Sequence, residues 1–540
     1  MERAAVAREP QPPASKGLPE NVWRIGIIVI FVIAAVLRLY DLNLVPLHHD
    51  EGVNGNFLVR LVREGYYQYD PQNYHGPTLY YFSALIPWTV KLLFGASARD
   101  HYGLTTFNIR LVTVLFGLAT IWLVLMLRRR LGTIATLAAA LMLAVSPGAV
   151  YLSRYFIHES LFVFFTLGIV VASVKLYDEQ NPSYLIPLGA AAALLFATKE
   201  TAMISVAVVI IALGLTLAYM WLIGKPSRRR VKETSIVEEL GGRANVGFYL
   251  GIGVVVFLAL YLLFYSSFLT NNKGISDSLQ TFAIWTKTGQ QAHVHPPTTY
   301  LTWLIRIEAP LLFLGAIGAA LAVLKPKNTL ALFSALWAFG LIAAYSLIPY
   351  KTPWLMLNFL VPLALIAGYA IQEIYELDHG QLRLAAVILV AAIGVATYQS
   401  IDLNFINYDN DDEKYVYVYA HSTREMLDLV HQVEQIANEN TGRTTGISIV
   451  SPDYWPLPWY FRNFTRVGYY GRIAPSSEPI IIANENQKEE VDRNFGEVYR
   501  QVPSKSEDGS FALRPGVKLL LYVRRSGVLP EQTSPSIQNP

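Results

Sequence analysis

The sequence predicts a polytopic α-helical membrane protein with a small α/β domain at its C-terminal end, and three observations predict it. Of the 540 residues, 53% are hydrophobic and only 15% charged, with a mean hydropathy of +0.34, too little charge to cover a soluble chain of this length. Apolar runs of about 20 residues, the length at which a helix crosses the hydrocarbon of a bilayer, recur down to about residue 400. From about residue 402 the composition turns to Asp, Asn and Tyr (NFINYDNDDEKYVYVYA), and short strand-like runs replace the long apolar ones.

The chain has no cysteine, which excludes disulfides, thiolate metal sites and cysteine nucleophiles. A formal charge of +3 is too small to argue for nucleic acid. Residues 1–21, polar and Pro-containing, read as a disordered tail; the apolar run starts late and no small-residue cleavage site follows it, so this is not a signal peptide. Spans are expected near 22–40, 105–127, 132–150, 157–176, 184–200, 202–222, 246–268, 303–324, 329–348, 353–374 and 383–400, about 11 in all. The expected domains are the tail 1–21, a transmembrane domain 22–401 and an outer domain 402–540.

Segment 77–94 decides orientation. It is long enough to cross but contains Pro87, Lys91 and several tyrosines. Lys and Arg are retained on the cytoplasmic side. If 77–94 lies flat at the interface, then Arg128, Arg129 and Arg130, the cluster Lys225, Arg228, Arg229, Arg230 and Lys232, and the pair Lys325 and Lys327 all fall inside; if it crosses, all fall outside. The flat reading puts the N-terminus in the cytoplasm of a multi-pass plasma-membrane protein. VPLHHDEG (45–52), SRYFIHES (153–160), ATKET (197–201), AHVHPP (292–297) and PYKTPW (349–354) then open on the outer face, as does the C-terminal domain. In that domain STREMLDLVHQVEQIAN has helical spacing, while TGISIV, PIIIAN and VKLLLYVRR read as strands. No Gly-rich phosphate loop precedes a helix there, which argues against a nucleotide site.

Each outer-face residue has two readings. Asp50 either caps the helix that follows or, at the edge of a low-dielectric cavity, takes a proton from an incoming hydroxyl; adjacent carboxylates point different ways, so on the second reading only one of Asp50 and Glu51 is that base. Glu159 either pairs with Arg154 to anchor a helix end or lines the same cavity. Lys199 and Lys351 lie where apolar spans meet on the side that positive charge avoids. Snorkelling explains one such lysine; a recurrent anion such as phosphate explains two. His49, His75, His158, His293 and His295 either hydrogen-bond phosphate or sugar, or, with His48, Asp50, Glu51 and Glu159, supply donors for a divalent metal; no tight ligand motif such as HExxH occurs.

Taken in order, these motifs resemble the GT-C superfamily of polyprenyl-phosphate-dependent glycosyltransferases, in the branch of aminoarabinose transferases and protein O-mannosyltransferases. The resemblance runs from about residue 30 to 375. It rests on Asp50 and Glu51, HGPTLYYF (75–82), NIRLVTVLFG (108–117), Glu159 after SRYFIH, the TK of ATKET, and KTPW (351–354) before a span containing Pro362. With the outer C-terminal domain it is most similar to the subgroup described as flippase-activity-associated. It departs in carrying Glu159 where relatives often have Asp.

The resemblance implies a GT-C fold with interfacial helices at 53–64 and 77–94, Asp50 as catalytic base with Glu51 and Glu159 near it, and a polyprenyl-phosphate-sugar donor whose phosphate meets Lys199, Lys351 and Arg154. The acceptor would be a glycan, lipid or protein, and the outcome inverting. A flippase or flippase accessory protein for lipid-linked sugars also needs a phosphate cavity, but should carry polar or broken helices at mid-membrane and repeated halves. A catalytically idle scaffold is a third reading.

Overall fold

The computed structural model describes residues 18–73, 75–223, 236–291, 293–377 and 382–525. Of the expected tail, residues 1–17 lie outside these, as does the basic cluster 225–232. The chain runs α1 (Glu20–Leu39), α2 (His49–Glu64), α3 (Thr78–Phe94), α4 (Thr106–Leu125), α5 (Thr133–Val145), α6 (Pro147–Ser153), α7 (Glu159–Glu179) and α8 (Leu185–Phe196). It continues through α9 (Ala202–Leu222), α10 (Arg243–Tyr265), α11 (Lys273–Gln291), α12 (Thr299–Ile307), α13 (Ala309–Leu324), α14 (Thr329–Leu347), α15 (Leu357–Leu377) and α16 (Leu382–Ile401). It divides into two compact units: one through Leu42 plus Tyr66–Asn407, the other Asn43–Gly65 plus Tyr408 onward. The first-loop helix α2 thus groups with the C-terminal segment.

In the helical unit α1, α4, α7, α9, α10, α14, α15 and α16 are long and apolar enough to cross a membrane, and α8 is a shorter apolar helix. Two expected spans are not straight. The run 132–150 breaks by 60° between α5 and α6, and the run 303–324 by 112° between α12 and α13. Proline causes both breaks: Pro147 opens α6 and Pro310 lies in the first turn of α13, positions where a missing N–H costs nothing but which end the preceding helix. The buried carboxylate of Glu308 ties the breaks together, accepting from Ser146 Oγ at 2.9 Å and from the Gly148 N–H at 2.7 Å.

The helices pack through small residues, as expected where lipid is no less apolar than a side chain. α15 is the buried centre. A Cβ on its Gly368 would come within 2.1 Å of the Ala135 carbonyl on α5, and one on Gly318 of α13 within 2.0 Å of the Ile366 carbonyl. Gly189 of α8 meets Gly253 of α10 in the same way.

The two ends of this bundle differ chemically. At one, Glu20 meets Arg128 at 2.9 Å, Arg130 pairs with Asp178, and Lys327 meets Glu373 at 3.6 Å. At the other lie the start of α7, the α8–α9 turn and the residues around Lys351. α3 begins at this second end, its Thr78 N–H donating to the Ala197 carbonyl at 3.2 Å. α4 begins there too, with Arg110 on the Leu42 carbonyl at 2.9 Å and Thr113 on that of Ser153 at 2.8 Å. α3 therefore brings the chain back to the end it left, as the flat reading of 77–94 requires.

The second unit adds α17 (Glu425–Glu439), β1 (Ile447–Ile449), α18 (Leu457–Tyr460), β2 (Val467–Tyr469), β3 (Ile480–Asn484), α19 (Lys488–Phe495), β4 (Tyr499–Val502), β5 (Phe511–Arg514) and β6 (Val517–Arg524). They form one mixed sheet ordered β2-β1-β3-β6-β4, with β5 also on β6; β1 is parallel to β2 and β3, and β6 antiparallel to its neighbours. Alternation along β3 builds two cores. Ile480 and Ile482 pack with Met426, Leu429 and Val433 of α17; Ile481 and Ala483 pack with Val491 and Phe495 of α19. This is the small α/β domain that the sequence predicts.

Candidate functional site

In the second unit, α2 starts on an unusual cap. His48 is its N-cap: Nδ1 accepts the Asp50 N–H at 3.0 Å, and Glu51 reaches back so that Oε2 accepts the His48 N–H, also at 3.0 Å. This is a capping box with imidazole in place of a hydroxyl. With Nδ1 accepting, Nε2–H donates to the Tyr419 carbonyl at 3.1 Å. The alternatives for the carboxylate pair separate here. Glu51 is fully buried and serves the cap; Asp50 is not the cap, and its side chain is 42% exposed, with one oxygen 3.9 Å from His48 Nδ1. His49 packs against Trp455 with ring centroids 6.1 Å apart, and burial lowers its pKa below the usual imidazole value.

In the helical unit, the α8–α9 turn and the start of α7 hold a buried charged cluster. Lys199 Nζ donates to Glu159, both side chains almost fully buried. Beside it Glu200, which the sequence reading passed over, accepts from His75 Nδ1 at 3.0 Å. The signal was present: a second acid next to Lys199 at a span boundary follows the same logic as Glu159. His158 lies 4.9 Å from the His75 ring and bonds the Gly76 carbonyl through Nε2 at 3.0 Å, while its buried Nδ1 has no hydrogen-bond partner among the described residues.

Arg154 does not pair with Glu159. Its guanidinium donates to the carbonyls of Leu37, Arg38, Tyr40 and Asp41, the C-terminal end of α1, and lies over the Phe405 ring at 4.7 Å. A cation placed on the last carbonyls of a helix satisfies orphan acceptors and the helix dipole together. Its fork is therefore engaged structurally.

Lys351 differs from Lys199. The loops 293–296 and 349–351 join as a short bridge, with His295 N on Pro349 O at 3.1 Å and Lys351 N on His293 O at 3.0 Å. The Lys351 side chain is buried; its Nζ donates to the Ile348 carbonyl and lies 5.9 Å from the Tyr300 ring. Among the described residues no carboxylate lies within ion-pair distance of it. Burial lowers its pKa below the ordinary lysine value. His295 stacks edge-on to Trp303 at 5.6 Å, its pKa lowered by burial and then by His293 and Lys351; His293 is exposed beside Tyr350. Among the described residues, Lys199 is thus compensated by a carboxylate and Lys351 is not. Among the described residues no three His, Asp or Glu side chains gather into a metal-ligand set.

A family model described as dolichyl-phosphate-mannose-protein mannosyltransferase matches residues 84–238. The apo structure of ArnT from Cupriavidus metallidurans matches with a TM-score of 0.62 at 15% identity, covering 92% of this chain and 98% of that one. The same protein bound to undecaprenyl phosphate matches with a TM-score of 0.58 at 14% identity over the same 92% and 98%. The archaeal oligosaccharyltransferase AglB from Archaeoglobus fulgidus, in complex with an inhibitory peptide and a dolichol-phosphate, matches with a TM-score of 0.53 at 12% identity, covering 95% of this chain and 75% of that one. Comparison with curated protein sequences returns no match. The chain thus shares the fold of these membrane proteins, and within it residues 84–238 match the mannosyltransferase family model.

Proposed function

We propose that this chain transfers a sugar from a polyprenyl-phosphate-linked donor to an acceptor on the extracytoplasmic face of the plasma membrane, inverting the anomeric centre, with its N-terminus in the cytoplasm. The observation that carries the reading is Lys351: a buried ammonium with no carboxylate partner among the described residues, in a loop bridged to the one that presents His293 and His295. A buried charge is costly until an opposite one arrives, and a phosphate at the headgroup plane is such a charge. The ArnT complex with undecaprenyl phosphate and the AglB complex with dolichol-phosphate support a polyprenyl phosphate as the anion.

In this reading Asp50 takes the proton of the acceptor hydroxyl or amine. The freed electron pair attacks the anomeric carbon, and the bond from that carbon to the phosphate oxygen breaks. Its electrons leave with the polyprenyl phosphate, where Lys351 stabilises the developing charge. One base and no protein nucleophile suffice. Glu159 holds Lys199 in place; neither it nor Arg154 acts on the donor directly.

The test is donor binding and turnover in nanodiscs with a polyprenyl-phospho-sugar. Lys351→Met is expected to weaken donor affinity about 10- to 100-fold, the loss of one charge-assisted hydrogen bond. Burial lowers the Lys351 pKa, so in the wild type the ammonium loses its proton, and the phosphate its partner, as pH rises toward a value below the usual lysine value of about 10.4. That alkaline fall in affinity should vanish in Lys351→Met. Unchanged donor affinity in the variant removes the phosphate role, and donor translocation without any transfer favours the flippase reading instead.

A further inference from the structure

Gly52 and Gly55 let α2 lie flush on the segment 455–459: a Cβ would come within 2.5 Å of Pro456 at the first and 2.7 Å of Trp459 at the second. This close approach sets His49 and the first turn of α2 beside Trp455. A row of rings continues from there, Trp455 to Tyr454 with centroids 5.6 Å apart and Tyr454 to Tyr469 at 5.2 Å. Tyr469, at the end of β2 on the edge of the sheet, is 37% exposed, and Tyr470 after it 50%. The Asp453–Arg514 ion pair borders the row.

We propose that this row binds the acceptor and that the acceptor is a saccharide. The inference rests on Asp50 being the base, since the attacking hydroxyl must come within hydrogen-bond reach of it, and it names the acceptor class that the proposed function leaves open. A pyranose ring has a flat C–H face and a rim of hydroxyls. Indole and phenol rings offer the face a stacking surface, while the phenol hydroxyls, Asp453, Arg514 and Asp50 offer the rim both donors and acceptors. An aliphatic lipid chain or an apolar protein surface would strip water from those border charges and return no hydrogen bond. The row is also continuous with the first turn of α2, so a sugar stacked on Trp455 has its hydroxyls next to Asp50.

The experiment uses the full chain in nanodiscs and measures binding of mannotetraose, cellotetraose and chitotetraose, against a serine- and threonine-containing pentapeptide as competitor. At least one tetrasaccharide should bind. The double variant Tyr469→Ala, Tyr470→Ala should weaken it about tenfold, as the loss of two stacking contacts implies, with donor affinity and thermal midpoint unchanged. Absence of binding by all three sugars, identical affinity in the variant, or displacement by the pentapeptide overturns the saccharide assignment. Failure of the underlying reading looks different. Saccharide binding that depends on Tyr469 and Tyr470 in a protein that transfers no sugar keeps this site and sinks the transferase, whereas transfer to a non-saccharide acceptor sinks this site alone.

Discussion

Replacing Asp50 by asparagine is expected to lower sugar transfer by about 10²- to 10⁴-fold, the range that loss of a positioned general base produces, while donor affinity and thermal midpoint stay at wild-type values. The structure makes this a sharp experiment, because the neighbouring carboxylate is its control. The N-terminal turn of α2 is held by the Asp50 N–H on His48 and by Glu51 reaching back to the His48 N–H. Asparagine at position 50 keeps the backbone N–H and so keeps the cap. Glu51→Gln also keeps an acceptor for the His48 N–H, since glutamine serves this position of a capping box as glutamate does. It should therefore cost little activity although it removes the same charge one residue away. Transfer that survives in Asp50→Asn, or that falls equally in both variants, would show that the segment contributes negative charge or helix geometry and not a specific base.

The membrane spans were legible because burial in lipid demands a long apolar run, and composition alone records that. Their bends were less so. Ser146-Pro147 and Glu308-Ala309-Pro310 lie inside runs that stay apolar overall, so a length criterion reads through the prolines. In the C-terminal unit β1, β3, β6 and α17 were legible because they are buried and periodic. β2, β4 and β5 were not: each is three or four residues long and only partly buried, a pattern indistinguishable from loop.

The site was legible in residue type more than in partnership. Arg154 and Glu159 are close in sequence and of opposite charge, yet the guanidinium turns to carbonyls at the end of α1 and the carboxylate to Lys199. Unmet backbone acceptors at a helix end leave no trace in side-chain identity. Nor does sequence show that α2 belongs with the C-terminal segment. That association rests on two glycines meeting residues 456 and 459 at the other end of the chain.

Neutralising either member of the Glu159–Lys199 pair, as Glu159→Gln or Lys199→Met, is expected to destabilise the helical unit by about 3–5 kcal/mol, because each removes the hydrogen-bonded counter-charge of the other in a buried site. The side chains are only 4% and 5% exposed. Little water can replace the missing partner, and the turn that carries Lys199 also receives the backbone of Gly76 and Thr78, so strain there reaches the start of α3. The double variant Glu159→Gln, Lys199→Met should recover much of the loss, since a well-packed neutral pair avoids the desolvation that the ion pair suffers. Thermal midpoints in detergent, compared across the two single variants and the double, measure this coupling directly. The same series separates the two roles open to Lys199. If it positions the α8–α9 turn, Lys199→Met loses stability first and the double variant regains donor binding along with its fold. If Lys199 grips the donor phosphate, Lys199→Met should hold its midpoint, lose donor affinity, and gain nothing when Glu159 is neutralised.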